Sequence, residues 1–154
     1  MAINIGLNDQ SRERSVAALK RVLGETYALY SKTHGYHWNV TGPNFQTLHS
    51  MFMTQYTELW AALDELAERI RALGHFAPAS SGELLEFATI GPDNEIPSAS
   101  KMVANLAAGH ETLARALREG ILAAEEAGDD VTVDLFTQRA TIADKTAWML
   151  RASL

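Results

Sequence analysis

The chain contains no cysteine. That excludes disulfides, thiol nucleophiles and cysteine-bound zinc, and it suits a reducing cytoplasm. Proline is scarce, with four in 154 residues, so nothing reads as an extended proline-rich linker. Positive charge is the minority sign, 13 Lys and Arg against 19 Asp and Glu, for a formal net charge of -6. An overall nucleic-acid-binding surface is therefore not expected, although a local patch is not excluded. No run approaches the ~18 apolar residues of a membrane span. The opening "MAINIGLNDQSRERS" has neither the basic start nor the apolar stretch of a secretory signal. These absences lead us to expect a soluble, cytoplasmic chain forming one domain across residues 1–154.

What is present is helical periodicity in a chain that is 47% hydrophobic. Val16, Leu19, Val22, Leu23, Tyr27 and Tyr30 recur at three-to-four spacing, predicting a first helix from about Ser11, capped by Asp9 or Ser11. It is expected to give out in "HGYHWNVTGPN", where Gly35, Gly42 and Pro43 break the pattern. A second helix is predicted from its cap Asn44 to Leu73, with Gly74 as the stop. The stretch from Gly74 to Pro97 is rich in Gly, Pro and Ser, with "ELLEF" as a short helical piece. Helices from Ser98 to Ala127, and from Asp130 or Thr132 to the end, complete the pattern. Four long helices with one long central crossover give an all-α, ferritin-like four-helix bundle. The plainer alternative is an up-down bundle with a loose loop.

On a wheel of 100° per residue with His49 at the origin, Phe45, Phe52, Tyr56, Leu59, Leu63, Leu66, Ile70 and Leu73 form the core stripe. Asp64 falls at about 60° and Glu68 at about 100°, beside the core, whereas Glu58, Glu65 and Arg69 fall on the solvent side. Half-buried carboxylates are costly unless paired or bound to a metal. His49 lies on the same strip but ~22 Å from Asp64 along the axis, too far to share an ion within one helix. Two antiparallel copies, with a two-fold near residues 58 and 59, would set position 49 opposite 68 and 53 opposite 64. His37, across the Gly-Pro turn, can fold back to join His49. Two imidazoles and two carboxylates suit iron(II) or zinc. In the alternative reading, Asp64 and Glu68 pair with Arg71 or a partner's side chain and the histidines are simply packed. There is no Glu-x-x-His, the motif that builds a di-iron centre inside a single bundle.

"HWNVTGPNFQTLH" followed by "DELAERIRALG", together with "GDDVTVDLFTQR" and "DKTAWML", closely resembles Dps, the DNA-binding proteins from starved cells or mini-ferritins. The likeness spans nearly the whole chain. It implies a hollow homo-oligomer of twelve subunits, a ferroxidase that oxidises iron(II) preferentially with hydrogen peroxide and stores ferric mineral, so protecting DNA. The resemblance places the iron between subunits, with His37 and His49 from one and Asp64 and Glu68 from its mate. It also implies a carboxylate four residues after the second histidine, where this chain has Met53. A thioether is a soft, weak ligand for iron(II), so a weakened site, especially for a second iron, is one expectation. Plain packing is the other reading of Met53. A non-enzymatic shell that protects DNA or adsorbs metal is the competing reading of function.

Trp60, near the supposed two-fold, reads as interface packing, and Trp38 as packing or as an oxidisable ring near the iron. His34, His75 and His110 match no ligand position. Glu125, Asp129, Asp130 and Asp134 crowd the start of the last helix, where carboxylates suit the dipole. The resemblance implies that acidic residues here line pores for iron, with Asp130 and Asp134 as the candidates. Direct DNA binding is not expected at neutral pH, because neither "MAINIGLNDQ" nor "RASL" offers several phosphate contacts. Association with a bacterial nucleoid would have to come by another route.

Overall fold

A computed structural model describes residues 3–154. Met1 and Ala2, which open the cation-free stretch noted above, lie outside the described residues. The elements are α1 (Asp9–Asn39), α2 (Phe45–Ala72), the short α3 (Ser81–Glu86), α4 (Ala99–Glu126) and α5 (Asp130–Arg151). There is no strand among the described residues. This is the four-helix bundle expected, with α3 where "ELLEF" placed a helical turn. None of the described helices is long and apolar enough to cross a membrane.

Both glycine stops work by one mechanism. Gly74 (φ +88°) and Gly128 (φ +69°) take the left-handed conformation that side chains disfavour. Beyond each, two backbone N–H groups turn back onto the last carbonyls: Gly74 to Arg71 and His75 to Ile70, then Gly128 to Glu125 and Asp129 to Ala124. The start of α1 differs from the prediction. Asn8 is the cap, its Oδ1 accepting from the Ser11 N–H at 2.8 Å, while Asp9 engages Arg12. Nor does Gly35 end α1. The helix runs on to Asn39, so His37 sits in its last turn.

α1 packs on α2 and α4, and α4 packs on α5. Leu19, Phe52, Leu66, Leu106, Leu117 and Phe136 are fully buried between them. The remaining seam, α2 to α5, is bridged by long charged side chains. Arg139 donates twice to Glu58 at 2.6 Å. Arg69 donates to Asp129 at 2.8 Å and to Thr132 at 3.0 Å. Glu58 and Arg69 are thus inside this seam, a correction to their solvent-side assignment. The core stripe needs one correction too: Phe45 is exposed, while Leu48 and Ala62 are buried.

The crossover is tied along α1. Glu25 is fully buried with no ion-pair partner among the described residues, and its carboxylate accepts from the Thr89 hydroxyl (2.7 Å) and from the Thr89 and Ile90 N–H groups. Three donors offset the cost of burying that charge. Further along, Tyr36 donates to Asp93 at 2.5 Å, and Lys32 and Asn105 join the same cluster. Burial first, then donation to Asp93, pushes the Tyr36 phenol well above its ordinary range.

Candidate metal centre

Gly42, at φ +112°, and Pro43 turn the chain between α1 and α2, and this reversal sets the last turn of α1 against the first turns of α2. His37 and His49 meet there with rings stacked at 3.7 Å and 16°. Each Nδ1 lies 2.7 Å from the other residue's backbone carbonyl. A carbonyl only accepts, so each Nδ1 is the donor, and each Nε2 is left without a hydrogen-bond partner among the described residues. A backbone acceptor on one ring nitrogen is the usual way to orient the other towards a metal. His37 is only 8% exposed, so its ring has little room to turn. Phe45 stacks on His49 at 4.9 Å, and Tyr56 meets His37 edge-on at 5.2 Å.

Asp64 and Glu68 lie farther along α2 on its exposed side. Neither has an ion-pair or hydrogen-bond partner among the described residues. Arg71, the alternative partner, instead donates to the His75 carbonyl at 2.9 Å and stacks over Phe76. Within one chain, no three His, Asp or Glu side chains converge among the described residues. The histidine pair and the carboxylate pair lie apart on one chain, so a four-donor site built from these residues would need a second copy to join them. The surface between them carries Met53 at 52% exposure and Trp60 at 63%, with exposed Trp38 and Phe45 beside it. Such an apolar band is costly to leave in water.

His34 is packed, in a place the sequence did not indicate. It stacks on Tyr56 at 3.9 Å and 10°, touches the Trp38 ring at 4.3 Å, and shares a 3.1 Å hydrogen bond with the Tyr30 hydroxyl. Burial, then the neighbouring His37, holds its pKa below the usual imidazole range. The available signal was the spacing of Tyr30, His34 and Trp38, four residues apart on one helix face. His110 is buried between α4 and α5, and neither ring nitrogen has a partner among the described residues. Of the acidic group near α5, Asp129 turns inward as the helix cap, accepting from Thr132 N–H and hydroxyl. Burial pushes its carboxyl up, but the bonds from Thr132 and the Arg69 charge outweigh this and hold it below the usual range. Asp130 and Asp134 remain exposed, Asp134 accepting from Gln138 at 2.7 Å.

Residues 16–154 match the family described as the ferritin-like domain. A low temperature-induced protein of Nostoc sp. is 39% identical over 152 residues, 97% of this chain and 85% of that protein. The DNA protection during starvation protein 2 of Bacillus anthracis is 36% identical over 139 residues, 90% of this chain and 95% of that protein. Among solved structures, the Dps protein of Vibrio cholerae O1 superposes with a TM-score of 0.92 at 33% identity, covering 99% of this chain and 96% of that one. That protein is described as a member of a broad superfamily of ferritin-like diiron-carboxylate proteins. Fold, extent and sequence agree: the chain belongs to the Dps family of ferritin-like proteins.

Proposed function

We propose that this protein is a ferroxidase and iron store. Iron(II) is its substrate, bound between two copies by His37 and His49 of one and Asp64 and Glu68 of the other. Hydrogen peroxide is the preferred oxidant, and ferric mineral collects inside a closed shell of twelve subunits. Removing iron(II) and peroxide together withdraws both Fenton reactants, which protects DNA chemically without contact. The observation that carries this reading is the reciprocal bond between His37 and His49, which engages both Nδ1 atoms and leaves each Nε2 without a hydrogen-bond partner among the described residues. Imidazole nitrogen and carboxylate oxygen are donors that suit iron(II), and zinc fits the same set. The exposed carboxylates, without an ion-pair partner among the described residues, supply the negative charge that an imidazole cannot. Asp130 and Asp134, exposed at the start of α5, are proposed to line the route by which iron enters.

The test is peroxide-driven oxidation of iron(II) in the presence and absence of the protein, with light scattering for the assembly. We expect faster oxidation and a closed oligomer. A species of 16.9 kDa at micromolar concentration would end the shared site and the shell together. One observation favours a second reading, a non-enzymatic metal-adsorbing or DNA-protecting shell: Met53 presents a soft thioether on the surface between the histidine pair and the carboxylate pair. Iron bound by the assembled protein but oxidised no faster than in buffer would select it.

A further inference from the structure

The crossover encloses a cavity of about 420 Å³ against α1 and the start of α4. That is the size of a small-molecule site. Its walls are chiefly apolar, with Ala28 from α1, Ile90, Pro92 and Ile96 from the crossover, and Met102 from α4. Gly35 belongs to the α1 wall, and its presence there needs a reason. Of the four glycines in α1 and α4, three sit where a neighbour leaves no room. A Cβ at Gly24 would lie 2.6 Å from the Leu84 carbonyl oxygen, at Gly109 2.6 Å from Leu29, and at Gly120 2.8 Å from Phe136. A Cβ at Gly35 would have no atom within 4 Å. Glycine destabilises a helix interior relative to alanine, so Gly35 lowers the stability of α1 with no packing contact to explain it. What it preserves is volume in the cavity that it lines.

One polar group in the wall has donors to spare. Lys32 is largely buried, and its sole polar contact among the described residues is a long one, 3.4 Å to Asp93 Oδ2. An ammonium carries three N–H donors, so two remain to be met in a place that water reaches poorly. Asp93 is in the opposite condition. It already accepts from Tyr36 at 2.5 Å, from Lys32, and from Asn105 at 3.5 Å. The wall is therefore short of an acceptor.

Charge decides which kind of acceptor fits. Lys32 is matched by Asp93, and Glu95 adds a second carboxylate to the lining. A ligand carboxylate would enter beside Asp93 with no cation left to balance it. A ligand ammonium would meet that of Lys32, and Glu95 is exposed, where an ion pair is worth little. An uncharged carbonyl oxygen takes the spare N–H without either conflict. We propose that this cavity binds a small uncharged molecule with a compact apolar body and one carbonyl acceptor, of the cyclic ketone or lactone class. The carbonyl accepts from Lys32 and the body lies over Gly35. His37, His49, Asp64 and Glu68 are not among the lining residues, so this site is independent of the ferroxidase reading.

The test titrates the assembled protein by calorimetry with four compounds that share one skeleton: 1-indanone, indane, indane-1-carboxylate and 1-aminoindane. We expect 1-indanone to bind one molecule per chain, and the other three to bind roughly fivefold or more weakly. Lys32→Met removes the donor but keeps an apolar side chain, so it should weaken 1-indanone about tenfold and leave indane within about twofold. Gly35→Leu grows into the cavity. It should abolish binding of 1-indanone and raise the melting temperature, because leucine is the better helix former. Should that variant fail to fold, Lys32→Met decides alone. The inference is overturned if 1-indanone does not bind, or binds no tighter than any one of the other three compounds. Undiminished binding of 1-indanone in Lys32→Met or in folded Gly35→Leu overturns it too. A folded Gly35→Leu that no longer assembles, read by light scattering, would show that the cavity seats a second copy instead.

Discussion

His37 and His49 hold each other in place: each donates its Nδ1 proton to the other's backbone carbonyl at 2.7 Å. Neither half of this clasp works without the turn that brings α1 back onto α2. The carboxylates lie on the same face of α2 yet out of reach within one chain. Sharing between copies has a quantitative consequence. His37→Ala and Asp64→Ala should each slow iron(II) oxidation strongly while leaving the assembly intact. In a mixed dimer, one site takes both defects and the other takes neither. Refolding the two inactive variants together at equal amounts should then restore about a quarter of the wild-type sites, for random pairing across a two-fold. No recovery in assembled mixtures would mean that each site belongs to a single chain.

His110 makes the fold sensitive to acid. It is 3% exposed, its ring nitrogens have no partner among the described residues, and burial, then the Arg139 charge, lowers its pKa to about 4. The neutral form is the one the folded protein holds. An unfolded chain, with an ordinary imidazole, takes up the proton near pH 6.5. The stabilisation is therefore fully present above that pH and fades as pH falls towards the folded value, by about 3 kcal/mol in all. His110→Leu should flatten this limb. Melting temperatures at pH 7.5 and 4.5 check it, and an equal drop in both proteins would place the acid sensitivity elsewhere.

The α2–α5 seam depends on Arg139, whose side chain is buried against a partly exposed Glu58. Removing the carboxylate leaves the buried guanidinium without its acceptor, a loss of about 1–3 kcal/mol because the partly exposed Glu58 position admits some water. Glu58→Ala should therefore destabilise far more than Glu58→Leu combined with Arg139→Met, which replaces both partners with apolar groups. Denaturant unfolding of both variants distinguishes a buried ion pair from a surface contact, for which the two would differ little.

These seams mark the limit of what the residue pattern conveys. Helical periodicity and the two glycine stops made the bundle and its crossover legible, because core burial and φ > 0 leave direct marks on residue choice. Gly35 misled because a helical glycine costs ~1 kcal/mol, a penalty that the tertiary packing of α1 evidently exceeds. Glu58 and Arg69 were assigned to solvent because a single-helix wheel contains no α5 to receive them. Phe45 was counted as core because a wheel has no ends, and in the first turn of α2 residues 45–47 are exposed while Leu48 is the first to be buried. Asp64 and Glu68, expected half-buried beside the core, are exposed in the single chain, because an angular offset on a wheel does not say what covers that strip. The meeting of His37 and His49 across the Gly-Pro turn was legible; the bonds that lock the two rings were not, because their acceptors are backbone carbonyls, which any residue supplies.

Met53 lies one helical turn after His49, so the two side chains are neighbours on the surface of α2. The thioether is half exposed there and offers iron(II) little. Met53→Glu should add a hard oxygen donor and a negative charge beside the imidazoles, facing Asp64 of the second copy. Iron(II) binding should tighten and the initial oxidation rate rise by roughly tenfold, equivalent to about 1.4 kcal/mol. The added charge acts the other way when no metal is bound. A third carboxylate beside Asp64 and Glu68 repels both, so the iron-free variant should melt lower than the wild type. Iron(II) should reverse that order, because a ligand that binds only the folded assembly stabilises it in proportion to its affinity. The crossing of the two melting temperatures is the signature of a restored ligand. A variant that melts lower with and without iron(II), and oxidises it no faster, would show that Met53 serves packing between copies and that the two histidines and two carboxylates suffice.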